Sequence, residues 1–156
     1  MINVFCFHNL NNIISFFHLF YYSKNKTLYI TGPKKEEALS FLKQNFNSKI
    51  KIKIYNKKLH VSKSTVQVWF HSFPPNSLVD LVKKEVPKFK INVISFFYDS
   101  LGMHHFRFNN IDNLFVISKK AKKYTIKLIE GYIKEGLLEN FDLKKIKVVG
   151  PVYKTF

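Results

Sequence analysis

Seven short apolar runs, each closed by a polar, proline or glycine break, limit what this chain can fold into. They occupy residues 2–7, 27–31, 50–55, 66–70, 91–97, 114–117 and 146–149, and most are rich in β-branched and aromatic side chains. Runs of this length and makeup predict strands. Between them the apolar spacing changes to a helical period. Asn11 or Asn12 is placed to cap a helix with Ile13, Ile14, Phe16, Phe17, Phe20 and Tyr21 on its inner face. Gly32-Pro33 starts a second helix, with Pro33 at its first turn. Glu36 and Glu37 there suit the dipole, and Ala38, Leu39, Leu42 and Phe46 form its buried stripe. Pro74-Pro75 leads into a third helix with Leu78, Leu81 and Val82 inward. Ser118 caps a long fourth helix running through Tyr124, Ile126, Leu128, Ile129 and Ile133.

Strands alternating with helices predict right-handed βαβ units. The expected fold is α/β: a single Rossmann-like three-layer domain over residues 1–156, with a mainly parallel sheet of about six strands. A chain of 156 residues suits one such domain rather than two. The run at 50–55 alternates with Lys and so predicts a half-exposed or edge strand.

Hydrophobic residues make up 46% of the chain, which excludes a disordered protein. Cys6 is the single cysteine, so neither an intramolecular disulfide nor a cysteine zinc site is expected, and a reducing compartment is the default. The most apolar stretch, 13–22, is about half the length of a spanning helix. No basic region precedes it and no small-residue cleavage site follows, so a signal peptide is not expected. These features point to a cytoplasmic address, with a peripheral seat on the inner membrane face open to so basic a protein.

The formal net charge is +16, which invites anionic partners: lipid headgroups, nucleotide phosphates or nucleic acid. Of the 26 basic residues only Arg107 is arginine, and sequence-reading nucleic-acid proteins rely on the bidentate guanidinium. The lysine excess, alongside abundant Phe, Ile, Asn and Tyr, also fits coding bias in an A/T-rich genome.

After the apolar runs stand His8-Asn9, Thr31-Gly32, His71-Ser72, Asp99-Ser100, Ser118-Lys119 and Gly150-Pro151. A parallel sheet gathers such groups along its carboxyl rim, where open α/β sheets bind ligands. Histidine, aspartate, serine and helix N-termini together suit a phosphorylated or sugar ligand. Polar caps and glycines also end the strands of any α/β domain, so a purely structural duty stays open for each. Asp99, one of ten acids, is the candidate general base for an attacking hydroxyl, or else the cap of a turn. His71 is placed to bond a hydroxyl or phosphate, or to pack. Lys119 and Lys120 oppose the dipole of the helix they begin, unless they hold an anion there. His104 and His105 would point to opposite faces of a strand, and no acid or cysteine stands at ligand spacing, so no metal site is expected. The chain lacks G-x-G-x-x-G, P-loop, nucleophile-elbow and H-E-x-x-H motifs, and no cofactor is implied.

Several stretches together resemble the amino-terminal, acceptor-side domain of bacterial GT-B-type glycosyltransferases. They are Val68-Trp69-Phe70-His71-Ser72, Ile94-Ser95-Phe96-Phe97-Tyr98-Asp99-Ser100, Leu114-Phe115-Val116-Ile117-Ser118-Lys119-Lys120-Ala121 and Ile146-Lys147-Val148-Val149-Gly150-Pro151. Tyr98-Asp99-Ser100-Leu101-Gly102 is similar to the acidic-acidic-Gly motif of bacterial sialyltransferases, with Tyr98 in place of one acid and Gly102 displaced. The resemblance implies Asp99 as catalytic base and a sugar or glycolipid acceptor in surface polysaccharide or lipooligosaccharide synthesis. Substrate contacts would fall to His8, Asn9, Gly32, His71, Ser72, Ser100, Ser118, Lys119 and Lys120. A nucleotide sugar would bind only with a carboxyl-terminal domain that these residues do not include, so the chain alone is not expected to turn over. The alternative, from a different class, is a small basic nucleic-acid-binding α/β domain without catalysis, its lysines tracking phosphates. A third is a non-catalytic interaction domain.

Overall fold

The computed structural model describes residues 2–10, 13, 16, 27–45, 51–59, 65–95 and 110–149. Seven strands form one sheet: β1 Ile2–Cys6, β2 Thr27–Thr31, β3 Lys51–Ile54, β4 Val66–His71, β5 Lys90–Ser95, β6 Asn113–Val116 and β7 Ile146–Val148. Their order is β3-β2-β1-β4-β5-β6-β7 and every pairing is parallel. This is the doubly wound order of a Rossmann-like domain with one further strand at the end. The lysine-alternating run forms β3 at one edge. Lys51 and Lys53 face solvent there and discourage pairing with another sheet.

Among the described residues three α-helices accompany the sheet: α1 Lys35–Asn45, α2 Asn76–Glu85 and α3 Lys119–Lys134. Side chains alternate along a strand, so each strand feeds two cores. Phe5, Phe7, Leu28, Ile30 and Trp69 pack with Ala38 and Leu42 of α1, and with Ile13 and Phe16. Val4, Cys6, Val68 and Phe70 pack on the opposite face with Leu78, Val79 and Val82 of α2. Val93, Leu114, Val116 and Ile146 continue that face beneath Ala121 and Ile129 of α3. The result is three layers, as expected. Phe7, Phe16 and Phe70 are among the largest fully buried side chains. Each such burial contributes roughly 1.5–3 kcal/mol.

One helix face departs from the expectation. Leu81 is exposed, and Val79 takes the inward place beside Leu78 and Val82. At about 100° per residue Val79 and Val82 lie on one side of Leu78, whereas Leu81 falls on the other. In α3 the inward line is Ala121, Thr125 and Ile129, spaced four apart, while Tyr124 and Ile133 are exposed at 48% and 37%. α1 begins at Lys35, so Pro33 precedes the helix rather than occupying its first turn. The expected inner residues Ile14, Phe17, Phe20, Tyr21 and Phe46, the caps Asn11 and Asn12, and the strand end Phe96-Phe97 lie outside the described residues.

Candidate functional site at the carboxyl rim

The chain winds outward from β1 to β3 and then returns past β1 to begin β4. The carboxyl ends of β1 and β4 are therefore the topological switch point, where the two crossovers diverge and where open α/β sheets bind their ligands. β1 ends at Cys6. Phe7 still donates its N–H to the Thr31 carbonyl at 2.8 Å, and His8-Asn9 follow on the surface. β4 continues through His71, one residue further than its apolar run. Ser72 then donates its N–H to the Ile94 carbonyl at 3.0 Å and turns the backbone at φ 63°. A non-glycine residue in this left-handed region is uncommon and has to be held there by its surroundings.

His8 and His71 thus end adjacent strands, in a register that pairs Phe5 with Trp69. Burial lowers the pKa of His71 below the ordinary 6.5 and the neighbouring His8 lowers it further, while partial desolvation lowers that of the surface residue His8. At neutral pH both rings are mainly uncharged. A neutral imidazole carries one N–H donor and one ring-nitrogen acceptor, a pairing suited to hydroxyl groups rather than to a phosphate charge.

Gly32 closes the neighbouring end of β2. Its φ is +102°, and a Cβ there would lie 2.5 Å from the Phe7 carbonyl oxygen and 2.9 Å from the Phe7 nitrogen. Its duty is therefore the close approach of two backbones. Further along the rim, the Ser118 hydroxyl accepts the N–H of Ala121 at 3.0 Å and caps α3. Lys119 and Lys120 are exposed in the first turn behind it. β6 lies two strands from β4, roughly 10 Å, so these three residues share the rim but not the switch point. His8, Asn9, Gly32, His71 and Ser72 are the group that the fold brings together. Asp99, Ser100 and Gly150-Pro151 lie outside the described residues, as do His104 and His105; β5 delivers the chain to the rim at Ser95.

Two polar constellations escaped the sequence reading. Thr31, fully buried, donates its hydroxyl to Glu85 at 2.5 Å, and Lys35 pairs with the other oxygen of the same carboxylate. Cys6 is packed nearby. Burial pushes its thiol up to about 12, with the Glu85 charge adding to the effect, so it is no nucleophile at neutral pH. On the α1 side of the sheet, Asn113 donates to Asn92 at 2.8 Å and Asn92 donates to Gln67 at 2.7 Å. Beside them Trp69 donates to Asn3 at 3.1 Å. The signal was present in the sequence, because an amide interrupts each of the apolar runs 2–7, 66–70 and 91–97 near its start.

A cavity of about 340 Å³ lies away from the switch point, between α2 and the start of β5, lined by Asn76, Val79, Asp80, Lys83 and Ile91 among others. Among the described residues no group of three or more His, Cys, Asp or Glu is placed to hold a metal ion. Nor, among them, is any helix long and apolar enough to cross a membrane. The fold defines the class: a Rossmann-like α/β domain whose polar groups gather at its switch point. No family model matches the chain, and neither a curated protein nor a solved structure does.

Proposed function

We propose that this chain is the acceptor-side domain of a glycosyltransferase, binding a neutral sugar or glycolipid headgroup at the β1–β4 switch point. The observation that carries the reading is the placement of two imidazoles, His8 and His71, beside each other at the carboxyl ends of the adjacent strands β1 and β4. A polyhydroxylated ligand needs neutral donors and acceptors close together, and two imidazoles beside the Ser72 turn are of that kind. Asp99, four residues after the end of β5, is assigned the role of general base. Its carboxylate takes the proton of the acceptor hydroxyl while that oxygen forms its bond to the anomeric carbon of the donor. The bond from that carbon to the nucleotide phosphate breaks, and its electron pair leaves with the phosphate. General-base assistance of this kind contributes on the order of 10²–10⁴ in rate. The donor would be held by a second domain, and a glycolipid acceptor would seat the protein on the inner face of a membrane.

Titration of the isotope-labelled chain with lactose, followed by amide chemical shifts, tests the reading. Expected are millimolar binding, shifts centred on His8, His71 and Ser72, and loss of both in His71→Ala. Absence of rim shifts with lactose and with a panel of other neutral oligosaccharides would overturn it.

A further inference from the structure

We infer that the outward face of α3 is a docking surface for anionic lipid headgroups. Six of its sixteen residues are lysine, and no acid stands in its first turn. At about 100° per residue Lys119, Lys120, Lys123, Lys127 and Lys134 fall within one arc of about 100°, diametrically opposite the buried line of Ala121, Thr125 and Ile129. All five are exposed, and Glu130 is the one acid among them. The helix is about 24 Å long, so the arc is a straight stripe running back from the carboxyl rim. Among the described residues no ion pair engages a lysine of this helix. Like charges at i,i+4, here Lys119 with Lys123 and Lys123 with Lys127, weaken a helix rather than strengthen it, and cations in the first turn oppose its dipole. Local stability therefore does not account for the pattern.

The shape and flanks of the stripe select the partner. It runs along the outer layer of the domain, which suits a plane of charge, and it contains no arginine for bidentate phosphate contacts. Tyr124 stands on one shoulder of the arc and Ile133 on the other, with Leu137 just beyond the helix, all substantially exposed. Apolar and aromatic groups flanking lysines suit the headgroup region, where lysine stems snorkel and a tyrosine ring sits at the boundary. The inference extends the proposed glycolipid reading, since the stripe begins at the rim on which the acceptor would bind.

Flotation of the intact chain with vesicles of phosphatidylcholine alone, or with about a third phosphatidylglycerol, tests it. Binding is expected only to the anionic vesicles. The triple variant Lys123→Gln, Lys127→Gln, Lys134→Gln should lower partitioning about a hundredfold. The triple Lys51→Gln, Lys53→Gln, Lys57→Gln removes the same charge elsewhere and should stay within about threefold of the unaltered chain. Circular dichroism verifies that both variants fold. Equal losses in the two triples, or no preference for phosphatidylglycerol, would overturn the assignment. So would duplex DNA that, at equal phosphate, binds more tightly than the vesicles and is lost in the α3 triple, because that outcome makes the stripe a nucleic-acid face. His71→Ala, which removes the proposed acceptor contact, should leave vesicle binding unchanged, so the two readings fail separately.

Discussion

At the scale of single residues, the switch point is shaped by side chains that solve backbone problems and by side chains that titrate near neutral pH. Gly32 belongs to the first kind, since both its φ of +102° and the nearby Phe7 backbone exclude a Cβ. His8 and His71 belong to the second, and their protonation has a measurable consequence. Burial lowers the His71 pKa below 6.5, with His8 contributing, so the unfolded chain binds more protons than the folded one in the window just below 6.5. Stability is therefore complete above that value and declines as pH falls through the window, levelling once the folded-state imidazole is also protonated. Urea unfolding across that range should show the decline, and His71→Asn should flatten it. The sequence singled out His71 as the polar stop of an apolar run, whereas β4 includes it as its last residue. It gave no means of knowing that His8, 63 positions earlier, ends the adjacent strand, because that proximity follows from strand order.

At the scale of elements, local chemistry accounts for most boundaries. Ser118 has the side chain that a helix start requires, and it makes the expected capping bond. Thr27–Thr31 is a strand over the residues anticipated. The errors lie where an element meets its neighbours. Leu81 and Ile133 are hydrophobic enough for the core, yet the helices are rotated so that Val79 and Thr125 take the inward places. Asn92 shows the reverse case, a polar residue fully buried in the middle of the sheet. It is tolerable because Gln67 accepts from it and Asn113 donates to it. Truncation to alanine strands both partners, so Asn92→Ala should lower unfolding free energy by about 1–3 kcal/mol beyond its lost packing. Double-mutant cycles with Asn113→Ala would show coupling if the ladder acts as a unit, and simple additivity if it does not.

At the scale of the whole molecule, 26 basic residues against 10 acidic ones leave a field that opposes compaction. Only a few ion pairs offset it among the described residues, and two of the three are local pairs three residues apart on the surface. Such pairs contribute little. Raising sodium chloride from about 20 mM to about 200 mM shortens the screening length about threefold and should raise the melting temperature by several degrees. A flat or falling melting temperature would mean that the lysines are too widely dispersed to repel one another.

The sequence by itself determined that this is an α/β domain with parallel strands, because strand and helix periods are local properties written in the spacing of apolar side chains. It also located the ends of most strands to within a residue, since a histidine, serine or glycine ends an apolar run wherever the strand is later placed. Only the tertiary structure decided that β1 lies between β2 and β4, that His8 and His71 consequently stand beside each other at the switch point, and that the lysines of α3 form one stripe facing away from the core. Those facts depend on the order in which strands pair and on the rotation of each helix. Both are set by packing between residues far apart in the chain.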